Sequence, residues 1–264
     1  MGAAFRLACL DLAGTTVTDE GAVQDAFVTA IATAGIEPPS VRFDEAWTYV
    51  RETMGQSKID VFRALLEDDA AAAEAANEAF ETAYAASIGA GRVAPMPGAE
   101  AAMDELADHG IKICLTTGFA PATRDALLSA LGWEQRASLV LSPADSGRGR
   151  PYPDMILTAV VRLQIDDVRS VVVVGDTTND LLAGQRAGAG LVVGVLSGAH
   201  DKEHLSGIGD VVLIDSIADL PSLLFHRGDR SGEPSHPDER PPIGATPMTE
   251  LQRHIKKQST KGNG

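Results

Sequence analysis

The chain has 264 residues, 44% of them hydrophobic, and carries 22 Lys and Arg against 37 Asp and Glu, for a formal net charge of -15 at pH 7. That balance argues against nucleic acid as a partner, because phosphate backbones demand a basic footprint. The length allows one full core with a sizeable insertion, or two small domains.

The first apolar run, FRLACL, leads into DLAGTTVTDE and so ends on Asp11. A desolvated carboxylate at the mouth of a buried strand is costly without a partner or a metal, which marks Asp11 as a functional candidate. From about Asp19 to about Pro95 only helical patterns follow: GAVQDAFVTAIATAG, FDEAWTYVRETMG, SKIDVFRALLED and AAAEAANEAFETAYAASIG, closed by the turn-rich APMPGAE. Beyond them IKICL, ASLVL, SVVVVG, AGLVVGV and DVVLI read as strands buried on both faces, most of them followed by an amphipathic helix. The alternation predicts an α/β fold with a Rossmann-like parallel sheet and a helical module inserted after the first strand. The expected core comprises residues 1–18 and 96–226, and the inserted helical cap comprises residues 19–95.

Cys9 and Cys114 fall inside apolar runs and are expected to be free, buried thiols. The tail, 227–264, holds seven Lys and Arg and five Asp and Glu among many Pro and Gly, and is expected to be disordered. Its last stretch would place Met248, Leu251 and Ile255 on one helical face. No apolar run approaches the roughly 18 residues of a membrane span, and no signal-peptide pattern opens the chain, so a cytoplasmic protein without membrane contact is expected.

In an open parallel sheet the active site lies beyond the carboxyl ends of the strands. Four polar segments stand there in order: Asp11 with AGTT, Thr116–Thr117–Gly118, SPADSGRGRPYPD with Arg150, and GDTTND with Asp176 and Asp180. A single Asp after a strand is an ordinary helix cap, whereas four such segments at one sheet edge form a site.

This ordered set, with helices inserted after its first member, resembles the haloacid dehalogenase superfamily with a helical cap, over nearly all of the chain except the tail. The stronger resemblance is to the phosphonoacetaldehyde hydrolase, or phosphonatase, family. That family has Asp-x-Ala-Gly-Thr at the first motif, Arg before the Pro, and a cap segment like MGQSKIDVFRALL whose lysine is catalytic. The matching lysine is Lys58.

A carboxylate can attack phosphorus to form an aspartyl-phosphate, and Asp11 is the candidate nucleophile. Clustered carboxylates with a phosphoryl substrate select Mg²⁺. Asp11 and Asp176 are the candidate carboxylate ligands, and Asp180, one helical turn on, could reach the metal or its waters. The resemblance adds the Ala13 carbonyl. Thr116, Thr117, Gly118 and Thr15 are candidate phosphate donors, and Arg150 could neutralise charge in the transition state.

Ala13 stands where the common phosphatase pattern has a second Asp that protonates an alkoxide leaving group. Alanine fits a carbon leaving group instead, which an imine on Lys58 would let depart as an enamine. Ser57 is a plausible N-cap, placing Lys58 in a first helical turn where the macrodipole disfavours an ammonium. The chain departs from the phosphonatase pattern at Val61, where histidine is usual, at Phe119, where tyrosine is usual, and by having no cysteine in DEGAVQDAF. Those departures keep open a phosphomonoesterase for a small sugar or cyclitol phosphate. A non-catalytic phosphate-binding protein is the remaining reading. The resemblance also implies a homodimer formed through the caps.

Overall fold

The computed structural model describes residues 5–67 and 69–225; the tail with Met248, Leu251 and Ile255 lies outside them. The first run forms β1 (Leu7–Asp11), every residue of which is buried. A strand with no polar face belongs in the middle of a sheet covered on both sides, and β1 is there. A two-residue strand, β2 (Val17–Thr18), precedes four helices: α1 (Ala22–Ala32), α2 (Val41–Glu52), α3 (Lys58–Leu65) and α4 (Ala70–Gly89). The chain returns through β3 (Ala94–Pro95), antiparallel to β2. This two-residue pair was not foreseen, because two residues are too few to carry a period.

Strands and helices then alternate through α5 (Ala99–Asp108), β4 (Lys112–Thr116), α6 (Pro121–Leu131), β5 (Leu139–Leu141), α7 (Pro143–Ser146) and α8 (Asp154–Arg162). The described chain finishes with β6 (Val171–Gly175), α9 (Thr178–Ala187), β7 (Leu191–Val195), α10 (Lys202–Ser206), β8 (Val212–Ile214) and α11 (Leu220–Phe225).

The six runs expected as strands form one parallel sheet in the order β5-β4-β1-β6-β7-β8, the α/β Rossmann-like arrangement expected. β1 is flanked by β4 on one side and β6 on the other, so the strand order reverses there and a crevice opens at the carboxyl ends. Along β1 the side chains alternate between two cores: Ala8 and Leu10 join the helices of one face, Leu7 and Cys9 those of the other. Cys9 and Cys114 are register partners on β1 and β4, and both are free and buried. No helix among the described residues is long and apolar enough to cross a membrane.

Candidate active site

Asp11 ends β1, and the chain turns at once. The amides of Thr15, Thr16 and Val17 converge on the Leu12 carbonyl at 3.3, 2.9 and 2.7 Å, while the Gly14 amide donates to Val17 at 2.8 Å. Gly14 is required twice over: its φ is 89°, and a Cβ there would collide with the Asp176 carboxylate. That closeness lets the turn steer Asp176. The Thr15 hydroxyl donates to Asp176 Oδ1 at 3.1 Å, and the Ala199 amide donates to Oδ2 at 2.7 Å. Asp176 itself follows β6 directly, and Thr177 caps α9 in a capping box with Asp180.

Arg150 reaches in from the loop before α8. Its Nη1 donates to Asp11 Oδ1 at 2.6 Å and also to Asp180 Oδ1, with all three side chains buried. Burial alone would lower the guanidinium's pKa, but Asp180 and Asp11 outweigh it and raise it. Nε and Nη2 of Arg150 are buried and have no partner. Two orphaned cationic donors at a cavity wall are costly unless an anion satisfies them.

The carboxylates repel one another. Burial, with Asp180 and Asp176 adding to it, raises Asp11 well above the usual range, despite Arg150. Burial and Asp180 push Asp176 up to about 6.

Lys58 opens α3 and is 6% exposed. Ser57 occupies the N-cap position, but its side chain makes no capping hydrogen bond. The Lys58 Nζ lies 5.2 Å from the ring centre of Phe27, 5.7 Å from Phe80 and 5.4 Å from Phe119. Burial and the Arg150 charge lower its pKa to about 8. The ring faces favour the ammonium by roughly 0.5–2 kcal/mol, which tempers a burial effect that can reach about 3–5 pKa units without reversing it. Val61, one turn along α3, is buried too, so the amine stands among apolar groups.

These parts surround a cavity of about 260 Å³ whose walls include Asp11, Ala13, Lys58, Thr117, Arg150 and Asp176. Gly118 also lines it. Two expected residues are placed differently. Thr116 turns its hydroxyl to the Leu10 carbonyl at 3.4 Å and borders a separate small void with Asp180, because it is still part of β4. Thr117, the first residue past that strand, faces the cavity instead. Thr15 is fully buried and spends its hydroxyl on Asp176. The loop Ser197–Gly198–Ala199 after β7 also lines the cavity and was missed, although the carboxyl-end rule applies to that strand as well.

A family profile described as haloacid dehalogenase-like hydrolase matches residues 5–188. The chain belongs to the haloacid dehalogenase-like hydrolases. Relatives of this hydrolase include a phosphonoacetaldehyde hydrolase from Pseudomonas aeruginosa, 33% identical over 84% of this chain and 92% of that one. Another is a probable phosphatase, IndB, from Dickeya dadantii, 28% identical over 81% and 91%. Among solved structures, a phosphonoacetaldehyde hydrolase-like protein from Oleispira antarctica is similar in fold, with a TM-score of 0.72 at 24% identity over 84% of this chain and 92% of that one.

The donor set of this haloacid dehalogenase-like hydrolase fits Mg²⁺. Burial, with neighbouring carboxylate charge adding to it, raises the pKa of Asp11 and Asp176, as expected where a cation belongs, and glycines at 14 and 198 leave no room for a Cβ beside Asp176. No group of three or more His, Cys, Asp or Glu among the described residues converges as a metal site. Asp180 is engaged by Arg150 and Thr177, leaving Asp11 and Asp176 as the carboxylates at the strand ends that border the cavity, which Asp19 and Glu20 line as well.

Gly118 packs against the Gln56 carbonyl, and a Cβ there would overlap it. Gly118→Ala is therefore expected to displace the Gln56–Lys58 segment and lower kcat/KM about tenfold to a hundredfold with the fold retained. Steady-state kinetics beside a circular-dichroism melt check this.

Proposed function

We propose that this hydrolase cleaves the carbon–phosphorus bond of phosphonoacetaldehyde or a close relative, with Asp11 as nucleophile and Lys58 as an imine-forming amine. The observation that carries the reading is Lys58: a buried amine in an aromatic cage beside the Asp11 cavity, with its pKa lowered to about 8. Ala13 supports it from the other side, since it offers no acid to protonate an alkoxide. The P. aeruginosa relative carries the matching name.

The neutral Lys58 amine would add to the aldehyde and, with loss of water and uptake of one proton from solvent, give an iminium. An Asp11 oxygen then bonds to phosphorus as the carbon–phosphorus bond breaks, and that bond's electron pair neutralises the iminium, so the carbon leaves as an enamine. Protonation on carbon followed by addition of water releases acetaldehyde and the free amine. A second water hydrolyses the aspartyl-phosphate to phosphate and Asp11. Arg150, through Nε and Nη2, would hold phosphoryl oxygens, and Thr117 with Gly118 would take the donor role expected of Thr116. Mg²⁺ held by Asp11, Asp176 and the Ala13 carbonyl supplies positive charge to the phosphoryl oxygens when bound. Val61 fits this chemistry because an apolar surround favours the neutral amine, and Phe119 adds to that burial although its ring face partly offsets it.

The reactive form is the unprotonated amine, so kcat/KM for the aldehyde should climb with pH and level off above about 8. A profile flat through that region would remove the amine from the rate law.

Phosphate release from phosphonoacetaldehyde and from sugar and cyclitol phosphates, each with and without Mg²⁺, tests the reading. Mg²⁺-dependent release with acetaldehyde from the phosphonate is expected. Release from the esters alone would favour phosphomonoester hydrolysis, the reading that the D. dadantii relative supports.

A further inference from the structure

The segment between α2 and α3 carries Lys58 to the cavity, and it is held from the sheet side by two residues that the mechanism does not use. His200, in the loop after β7, engages both ring nitrogens. Nδ1 accepts the amide of Thr178, the first residue of α9, at 3.0 Å, and Nε2 donates to the Arg51 carbonyl in the last turn of α2, also at 3.0 Å. With Nδ1 accepting, the proton that reaches the Arg51 carbonyl is carried on Nε2. The Thr178 amide heads a helix and has no partner within it, so the ring satisfies a group that would otherwise be unpaired.

Asn179 works beside it. Its Nδ2 donates to the Met54 carbonyl at 2.7 Å, and its Oδ1 accepts from Gln56 Nε2 at 3.2 Å. Both residues are buried. The His200 amide donates to the Asp176 carbonyl at 3.2 Å, next to the Ala199 amide on the Asp176 carboxylate. Two sets of hydrogen bonds therefore reach the backbone that delivers Lys58, one from Asp176 through His200 to Arg51 and one from Asn179 to Met54 and Gln56.

An imine mechanism makes that connection consequential. The substrate would be tied covalently to Lys58 at one end while its phosphorus must align with Asp11 at the other, so an error of about 1 Å between the two costs on the order of a hundredfold in rate. We infer that His200 and Asn179 are positioning residues, a clamp that sets the Lys58 amine at a fixed place relative to Asp11. The activity part of this inference rests on the Lys58 reading above; the restraint on the segment does not.

The test uses His200→Phe, which keeps the ring's shape without its hydrogen bonds, and His200→Gln, whose amide can supply one acceptor and one donor. Three readouts are compared: borohydride trapping of phosphonoacetaldehyde on Lys58, turnover of acetyl phosphate, which needs no lysine, and amide exchange over Met54–Lys58. For His200→Phe the trapping rate is expected to fall about tenfold or more, acetyl phosphate turnover to stay within about threefold, and exchange over the segment to quicken about tenfold. His200→Gln should recover most of each change. Equal loss of both activities would mean a merely structural role and would overturn the clamp. So would unchanged exchange. If the parent enzyme itself fails to trap at Lys58 while exchange still quickens in His200→Phe, the imine reading fails and the restraint stands.

Discussion

Asp11→Asn is expected to lower turnover by about 10⁴-fold or more while the protein stays folded. The amide keeps the carboxylate's shape but is a poor nucleophile, so the covalent step has no donor of electrons. Arg150 keeps its contact with Asp180, and the burial that raises the Asp11 pKa means that its ionised form costs stability at neutral pH. A group raised in this way favours folding below its ordinary pKa and loses that contribution as pH rises through the folded value. Neutralising it should therefore leave the melting temperature at neutral pH unchanged or higher. Turnover within about tenfold of the parent, measured by phosphate release, would remove Asp11 as nucleophile.

Lys58→Arg is expected to abolish carbon–phosphorus cleavage to a comparable extent, because a guanidinium keeps its proton and cannot add to a carbonyl. Acetyl phosphate turnover should survive within about tenfold, since Asp11, Arg150 and the carboxylates are untouched. A stability measurement separates the amine's burial from its chemistry. The lowered pKa disfavours the ammonium in the folded state, so the unfolded chain binds more protons between about 8 and 10.5 and stability rises with pH across that window. Lys58→Met, of similar volume and without charge, should lose this rise in melts recorded across those pH values. A parallel rise in both proteins would place its source elsewhere.

The sheet could be read from the chain because β1, β4, β6 and β7 are nearly continuous apolar runs, the mark of strands covered on both faces. Asp11, Thr117, Arg150 and Asp176 could be read because strand ends in such a sheet converge on one crevice. What each polar group does there depends on partners far away in sequence. Asp180 is spent on Arg150 and Thr177, although Thr177 and Asp180 have the spacing of a capping box. Thr15 serves Asp176. The choice between Thr116 and Thr117 turned on where β4 ends, the least readable feature of any element. The cage of Phe27, Phe80 and Phe119 comes from α1, α4 and the loop after β4, and the partners of His200 lie in α2 and α9, so neither carried a local signal.

The central claim is that Lys58 forms a covalent bond with an aldehyde substrate while Asp11 takes its phosphoryl group. Incubation with phosphonoacetaldehyde and Mg²⁺ in the presence of borohydride, followed by peptide mass spectrometry, tests this most directly. The expected result is a reduced two-carbon adduct on the Lys58 peptide, absent from Lys58→Arg. An unmodified Lys58 peptide, together with phosphate release from sugar phosphates by Lys58→Arg at the parent rate, would contradict it.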